Sequence, residues 1–378
     1  MEQVDVSVIV PCYNTEKFLD QALASAEQND RVNIEIIVLN DGSTDGSLEI
    51  MRAHEAADPR VHVIDKENQG YGASVNRGIA ESHGTYIAIL EPDDWVAPHM
   101  YDDLFEYGMS FSYTGAMPDV IKSPYTRVVL PETPDQYFCN CSYYKRVDPG
   151  FQPFRLADAP HLIQHHPSIW SAIYRRGFLD EKEIRFMEVP GAGWVDNPFL
   201  IETLCQADSI VYKEQPYYYY REDLPGSSSV LRKARLSFDR WNQMLDIIER
   251  LGITDDGILK AFYVIGFRYV GGGFADFGDD NPDIKEWSAE IFRRMDPERV
   301  VRIANLSGYS KKQFFELSGY DPLPYSNLAY YGELVKEFAY STRTNGIGFG
   351  IGRTALYVRQ VATQKGLIKQ KLNIAEEQ

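Results

Sequence analysis

Near its start the chain has a run that is apolar on both faces. Val6 to Val10 is interrupted only by Ser7 and ends at Pro11, as in a strand buried between two layers. Thr15 reads as a helix N-cap, and apolar residues return on a helical period at Phe18, Leu19, Ala22, Leu23 and Ala26. A second buried strand, Ile34 to Leu39, runs into Asn40-Asp41-Gly42-Ser43-Thr44-Asp45-Gly46-Ser47, a turn rich in glycine and capping residues. A helix through Leu48, Ile50 and Met51 follows, then a short strand from Val61 to Ile64. Gly70-Tyr71-Gly72 opens a third helix through Ala73, Val75, Ile79 and Ala80, and Tyr86 to Leu90 forms a fourth strand. This alternation predicts an α/β fold, a parallel sheet with helices on its faces. Ligands of such sheets bind beyond the carboxyl ends of the strands. Pro11-Cys12-Tyr13-Asn14, Asp41 and Asp93-Asp94 are all expected on that one edge.

The fourth strand stops at Glu91-Pro92-Asp93-Asp94-Trp95. Three carboxylates this close repel one another, which suits a hard cation such as Mg²⁺ or Mn²⁺ between them. The same residues also suit a solvated turn in which Asp93 or Asp94 caps a helix through Trp95 and Met100. Two nucleotide signatures are excluded. Gly70-Tyr71-Gly72-Ala73-Ser74-Val75 has valine where the third dinucleotide-fold glycine belongs, and the Asp41 turn has no lysine before a Ser or Thr.

Composition narrows the class further. The 378 residues allow one large domain plus a smaller one, or two domains. A net charge of −17 argues against a nucleic-acid partner, which needs a basic face. Cys12, Cys139, Cys141 and Cys205 are too few for a disulfide scaffold, and free thiols in a reducing cytoplasm are expected. No basic region precedes an apolar core at the N-terminus, so no secretory signal is expected. No apolar run approaches the ~20 residues that cross a bilayer.

In order and spacing these segments resemble glycosyltransferase family 2, the inverting sugar transferases with the GT-A nucleotide-sugar fold. The residues that carry the resemblance are Ser7 to Asn14, Glu35 to Ser47, Asn68-Gln69-Gly70, Asn76-Arg77-Gly78 and Glu91 to Trp95. The likeness is close over residues 5–100 and looser to about 230. It implies that Asp41 accepts a hydrogen bond from the donor base and that Pro11 and Tyr13 form the wall against that base. Asn68, Gly70, Asn76 and Arg77 fall in the nucleotide-sugar-binding set. Asp93 would hold Mg²⁺ or Mn²⁺ on the donor diphosphate, with Asp94 supporting it or touching ribose. Glu91 departs from the family's first aspartate by one methylene, which puts its usual ribose contact in question.

After Ser110 the periodicity weakens, and Arg127-Val128-Val129-Leu130 is one of several short β-rich runs. Ile169 to Arg176 resembles the family's edge strand near the acceptor. His161, His165 and His166 read as surface or pocket histidines rather than a zinc site. Asp196 sits before an apolar helical pattern through Phe199, Leu200, Ile201 and Leu204. By resemblance Asp196 is the general base, with Val195 in place of the usual glutamate; as chemistry it also suits a plain N-cap. Tyr217 to Arg221 followed by Leu224-Pro225-Gly226-Ser227-Ser228-Ser229 resembles the family's loop over the donor, with Arg221 neutralising diphosphate.

From Leu231 the pattern turns helical, through Leu236, Trp241, Met244, Leu245, Ile247, Ile248 and Leu251 to a stop at Gly252. Further helices fit Ile258 to Tyr269, Asp283 to Arg294 and Tyr331 to Tyr340. The expected organisation is a GT-A catalytic domain at 1–230 and a helical domain at 231–378, which packs on it or builds a homo-oligomer contact. Arg343, Arg353, Arg359, Lys365, Lys369 and Lys371 occur without an acid before Glu376, accompanied by apolar residues. Such a tail suits anionic lipid at the inner face of the plasma membrane, and equally a helix docked on an acidic surface.

The expected activity is metal-dependent transfer of a sugar, most simply from UDP, to a hydroxyl of a glycan or lipid-linked acceptor in cell-surface polysaccharide synthesis. A catalytically idle nucleotide-sugar-binding or assembly module is the alternative. A nucleotidyltransferase is disfavoured by the absence of a glycine-rich, basic start after Val10.

Overall fold

The structure is a computed structural model that describes residues 3–222, 224, 234–349 and 351–352. The chain forms two compact units, Met1–Arg232 with Asp246–Gly252, and Lys233–Leu245 with Ile253–Gln378.

The first unit opens with the expected alternation: β1 (Val6–Cys12), α1 (Glu16–Ala26), β2 (Ile34–Asp41), α2 (Ser47–Ala57), β3 (Val61–Lys66), α3 (Tyr71–Glu81) and β4 (Tyr86–Ile89). It continues with β5 (Trp95–Val96), α4 (Met100–Met109), β6 (Val120–Lys122), β7 (Tyr125–Val129), β8 (Tyr137–Asn140), β9 (Ala172–Arg175), α5 (Arg176–Glu181), α6 (Asp196–Gln206), β10 (Ile210–Tyr212) and β11 (Tyr218–Arg221). Seven strands form the main sheet in the order β10-β6-β9-β4-β1-β2-β3. All its neighbours are parallel except β9, which runs antiparallel between β4 and β6. The Ile169 to Arg176 run is therefore an interior strand, not an edge strand. Its apolar residues are covered on both sides, and Arg175 at its end is paired with Asp119 and Glu181. A second sheet has the order β5-β11-β7-β8.

β1 and β2 are buried along their whole length, as their apolar runs require. Two of their polar members are paired with each other: the Ser7 hydroxyl donates to Glu35, and Glu35 also accepts the His83 amide at 2.6 Å. That pair ties the two strands to the turn that starts β4. The register sets Cys12 beside Asn40, and the Leu90 amide bonds Ile9 at 2.9 Å. The ends of β1, β2 and β4 thus lie at one edge, as expected.

The acid stretch does not cap a helix. Its chain passes into β5, and α4 begins only at Met100, after His99 in a left-handed conformation. β5 pairs antiparallel with β11, so the turn is captured by a strand more than 120 residues downstream.

β6 ends in a buried lysine that the sequence pattern does not single out. Lys122 Nζ donates to Ser168 O at 2.8 Å, Ser168 Oγ at 3.2 Å and Ser171 Oγ at 3.1 Å. Three acceptors satisfy its three donors, and no carboxylate is among them. Burial pushes the ammonium down to about 7.

The second unit contains α8 (Asp256–Phe277), α9 (Pro282–Arg293), α10 (Pro297–Val301), α11 (Gly308–Ser318) and α12 (Leu328–Asn345), and α7 (Ala234–Arg250) supplies its first part. Asp255, Asn281, Asp296 and Ser307 cap four of these helices through their side chains. The core is aromatic: Trp241 stacks on Phe262 at 4.9 Å, and Phe292 packs against Phe267 and Phe314. α12 keeps Leu328, Tyr331, Val335 and Phe338 exposed along one stripe. No described helix is long and apolar enough to cross a membrane.

Lys122 yields a pH signature. Its folded value lies below its unfolded one, so the unfolded chain binds the extra proton between about pH 7 and pH 10 and stability rises with pH there. Urea unfolding at pH 7 and pH 9 should show Lys122→Met lacking a stability gain on the order of 2 kcal/mol that wild type has. Equal slopes in the two proteins would mean the lysine is charged where it sits.

Candidate active site

The three acids at the end of β4 have three different fates. Asp94 is 1% exposed and is consumed by the fold. It accepts the Arg221 amide at 2.7 Å and the Tyr218 hydroxyl at 3.0 Å, and burial beside Asp93 holds it well above the usual carboxylate range. Tyr218 also receives the Glu91 amide at 3.1 Å, so one phenol closes both ends of the turn. Glu91 accepts the Tyr71 hydroxyl at 2.6 Å. Burial pushes Glu91 up to about 8; the Tyr71 bond opposes this, and the charges of Asp93 and Asp196 add to it. The Asp93 carboxylate accepts no hydrogen bond from another residue among those described. Burial raises it, and the Arg221 charge opposes that. One carboxylate of the three is thus left uncommitted, and it is Asp93.

Arg221 braces this turn from behind. Its guanidinium lies 4.6 Å from the Phe18 ring centroid and 4.3 Å from that of Trp95, and it bonds the Asp93 carbonyl and Gln21. Trp95 stacks in turn on Tyr219 at 5.0 Å. A planar cation between two rings is held by both faces as well as by its edges.

At the end of β2 the Asp41 carboxylate accepts the amides of Gln69 and Gly70, both at 2.9 Å, and pairs with Lys66. It organises the turn before α3, and Asn68 in that turn is exposed. Pro11 is buried at the end of β1, whereas Tyr13 is 51% exposed and presents its ring to solvent. The loops after β1 and β2 are buttoned together by bonds that sequence reasoning missed. Asn14 accepts the Thr44 amide at 2.8 Å, Glu16 accepts the Gly46 amide at 2.6 Å, and Ser47 accepts the Thr15 amide at 2.9 Å. The dense capping residues of Asn40 to Ser47 were the available signal.

Asp196 is the first residue of α6; Val195 holds the cap position without a side-chain bond, so Asp196 is not the plain N-cap considered above. Asp196 is half-buried, accepts Asn197 Nδ2 at 3.0 Å, and its charge reaches Glu91 and Tyr71. The structure therefore brings Glu91, Asp93, Asp94 and Asp196 into one charged neighbourhood.

Two residues expected to contact the donor have protein partners in the structure. Asn76 uses both side-chain N–H groups on Phe186 O and Glu188 Oε1, each at 2.9 Å, and has no donor left for a nucleotide. Arg77 is exposed and pairs with Glu81 at 2.7 Å, one helical turn along. The loop from Pro225 to Ser229 lies outside the described residues, as does the tail from Arg353 onward.

The donor set at the acid turn fits a divalent ion held mainly by ligand oxygens. Mg²⁺ takes one or two carboxylates plus substrate phosphates, and Asp93 is free to be one. Among the described residues, the one group of three metal-ligating side chains close enough to share an ion is elsewhere: Asp30, His99 and Asp102. Asp102 there accepts the amides of Asp30, Arg31 and Val32, which makes it the anchor of the loop before β2.

Residues 7–179 match the family model described as Glycosyl transferase family 2. EpsH of Bacillus subtilis, a glycosyltransferase by its name, is 29% identical over 63% of this chain and 66% of its own length. The cholesterol galactosyltransferase of Borreliella burgdorferi is 24% identical over 70% of this chain and 75% of its own. The chain spans 66%, 61% and 30% of the first three curated relatives. Among solved structures, S. aureus TarS 1-349 in complex with UDP-GlcNAc aligns with a TM-score of 0.64 and 18% identity, over 83% of this chain and 89% of that one. At that identity the likeness is one of fold.

The Arg221 brace can be tested by itself. Arg221→Lys keeps the charge and loses the flat face, and should lower the unfolding free energy by about 1–2 kcal/mol in urea titrations. An unchanged midpoint would show that the stacking contributes nothing.

Proposed function

We propose that this chain, whose residues 7–179 form a glycosyl transferase family 2 domain of GT-A fold, is a metal-assisted inverting glycosyltransferase. It moves a sugar from a UDP-linked donor to a hydroxyl of a glycan or lipid-linked acceptor. The observation that carries this is the uncommitted Asp93, whose charge reaches Glu91 as that of Asp196 does, on the sheet edge where the exposed Tyr13 ring and the Asp41 turn also lie. UDP as the nucleotide is supported by the TarS complex with UDP-GlcNAc.

The residues divide the work as follows. Tyr13 offers a face to the base, over Pro11 at the end of β1. Asp41, which holds the 68–70 turn, keeps one lone-pair side for the base edge. Asp93 would hold Mg²⁺ or Mn²⁺, and a bound ion supplies positive charge to the leaving diphosphate. Asp196 takes the proton of the acceptor hydroxyl on the opposite face of the sugar. Arg221 acts through the turn it braces, because its guanidinium is spent on Gln21, the Asp93 carbonyl and two rings.

In this account the enzyme works at the inner face of the plasma membrane. The exposed stripe on α12 and the basic residues that follow it in sequence suit an anionic lipid surface, and synthesis of a surface polysaccharide is supported by the name of one relative, the teichuronic acid biosynthesis glycosyltransferase TuaG of Bacillus subtilis.

Asp196→Asn should bind UDP with Mn²⁺ as wild type does and lose about 10²- to 10⁴-fold in UDP release from a panel of UDP-sugars. Full turnover in that variant would remove Asp196 as base. Binding without turnover in wild type, on every donor, would favour the idle module. Charge reversal of Lys365, Lys369 and Lys371 to Glu should abolish co-sedimentation with phosphatidylglycerol vesicles; unchanged sedimentation, or a shift in oligomeric state alone, would argue for a protein partner at this face.

A further inference from the structure

The first two turns of α3 lie against the segment that leads to Asp196. A Cβ on Gly72 would sit 2.0 Å from the Met187 carbonyl oxygen, and one on Gly70 would sit 2.5 Å from that of Val189. Glycine at both positions lets two backbones touch. Within this contact the Tyr71 amide bonds Gly191 O at 3.1 Å. Asn76 supplies the clamp: its Oδ1 accepts the Phe186 amide at 2.8 Å while its Nδ2 donates to Phe186 O and Glu188. Phe186 is then fixed from both sides, edge-on to Tyr71 at 5.9 Å and stacked at 4.0 Å on Phe199 of α6. The Tyr71 hydroxyl bonds Glu91. One end of α3 therefore grips both the acid turn and the segment 186–191.

That segment continues through Gly191, Gly193 and Trp194, all at positive φ, to Asp196. We propose that Asn76 is a positioning residue: by clamping Phe186 and Glu188 to α3 it sets Asp196 at its distance from the acid turn. The proposal rests on the assignment of Asp196 as the base. It replaces the donor contact that the motif suggests for Asn76 with a role on the acceptor side.

The test is Asn76→Ala, a good helix former at an interior helix position. UDP affinity in Mn²⁺ should stay within about twofold of wild type. The kcat for UDP release from UDP-glucose, UDP-galactose or UDP-GlcNAc should fall about tenfold or more, with KM nearly unchanged. Amide exchange at residues 186–195 should speed up by about tenfold while β1 and β2 keep their protection. Full kcat would overturn the proposal. So would a parallel loss of UDP affinity, which is the signature of a donor contact. If wild type released UDP from no donor, the functional assignment would fail on its own terms, and exchange would still decide the clamp: unchanged exchange at 186–195 overturns it. Should the alanine variant not fold, Asn76→Asp, which keeps the acceptor and loses both donors, gives the same readouts.

Discussion

Three carboxylates at the end of one strand repel one another, and the first unit meets that conflict by drawing partners for two of them from distant parts of the chain. The resolution is a separation of partners. Asp94 is given to Tyr218 and the backbone of β11, Glu91 is given to Tyr71, and among the described residues no other residue donates to the Asp93 carboxylate. Each assignment recruits a distant element: β11 from more than 120 residues downstream and the start of α3 from 20 residues upstream. The pairing of β5 with β11 in the second sheet meets the same requirement, because β11 must reach the turn to close it. Arg221, at the end of that strand, then neutralises the neighbourhood from behind, while its flat faces are covered by Phe18 and Trp95.

The main sheet was legible because its strands are buried on both faces and its helices repeat on a clean period. Val6 to Val10 and Ile34 to Leu39 have no other stable placement. The convergence of Asp41 and Asp93 followed from topology alone. What was not legible depended on side-chain reach. Glu91 looked like an equal member of a cluster, because spacing says nothing of a tyrosine 20 residues earlier that is long enough to take its extra methylene. Asn76 looked like part of a ligand motif, because its partner is the irregular segment around Phe186, which has no period to read. The interior position of β9 was hidden for a related reason: an antiparallel insertion in a parallel sheet carries the same apolar run as any buried strand.

In the proposed function, a donor half and an acceptor half are joined by one helix end. Asp41 bonds the amides of Gln69 and Gly70, Tyr71 bonds Glu91, and Asn76 bonds Phe186. Within eight residues the chain touches the base-side turn, the acid turn and the approach to Asp196. Preorganisation of this kind is what a single displacement needs, since donor, ion and base must keep one geometry.

The central claim is that Asp93 is the carboxylate left free for a donor-bound cation. Calorimetric titration of UDP into the full chain, with and without Mn²⁺, tests it most directly when wild type is set beside Asp93→Asn. The account predicts that Mn²⁺ tightens UDP binding by about tenfold or more in wild type and by little in the variant. Equal Mn²⁺ enhancement in both proteins, or none in wild type, would contradict it.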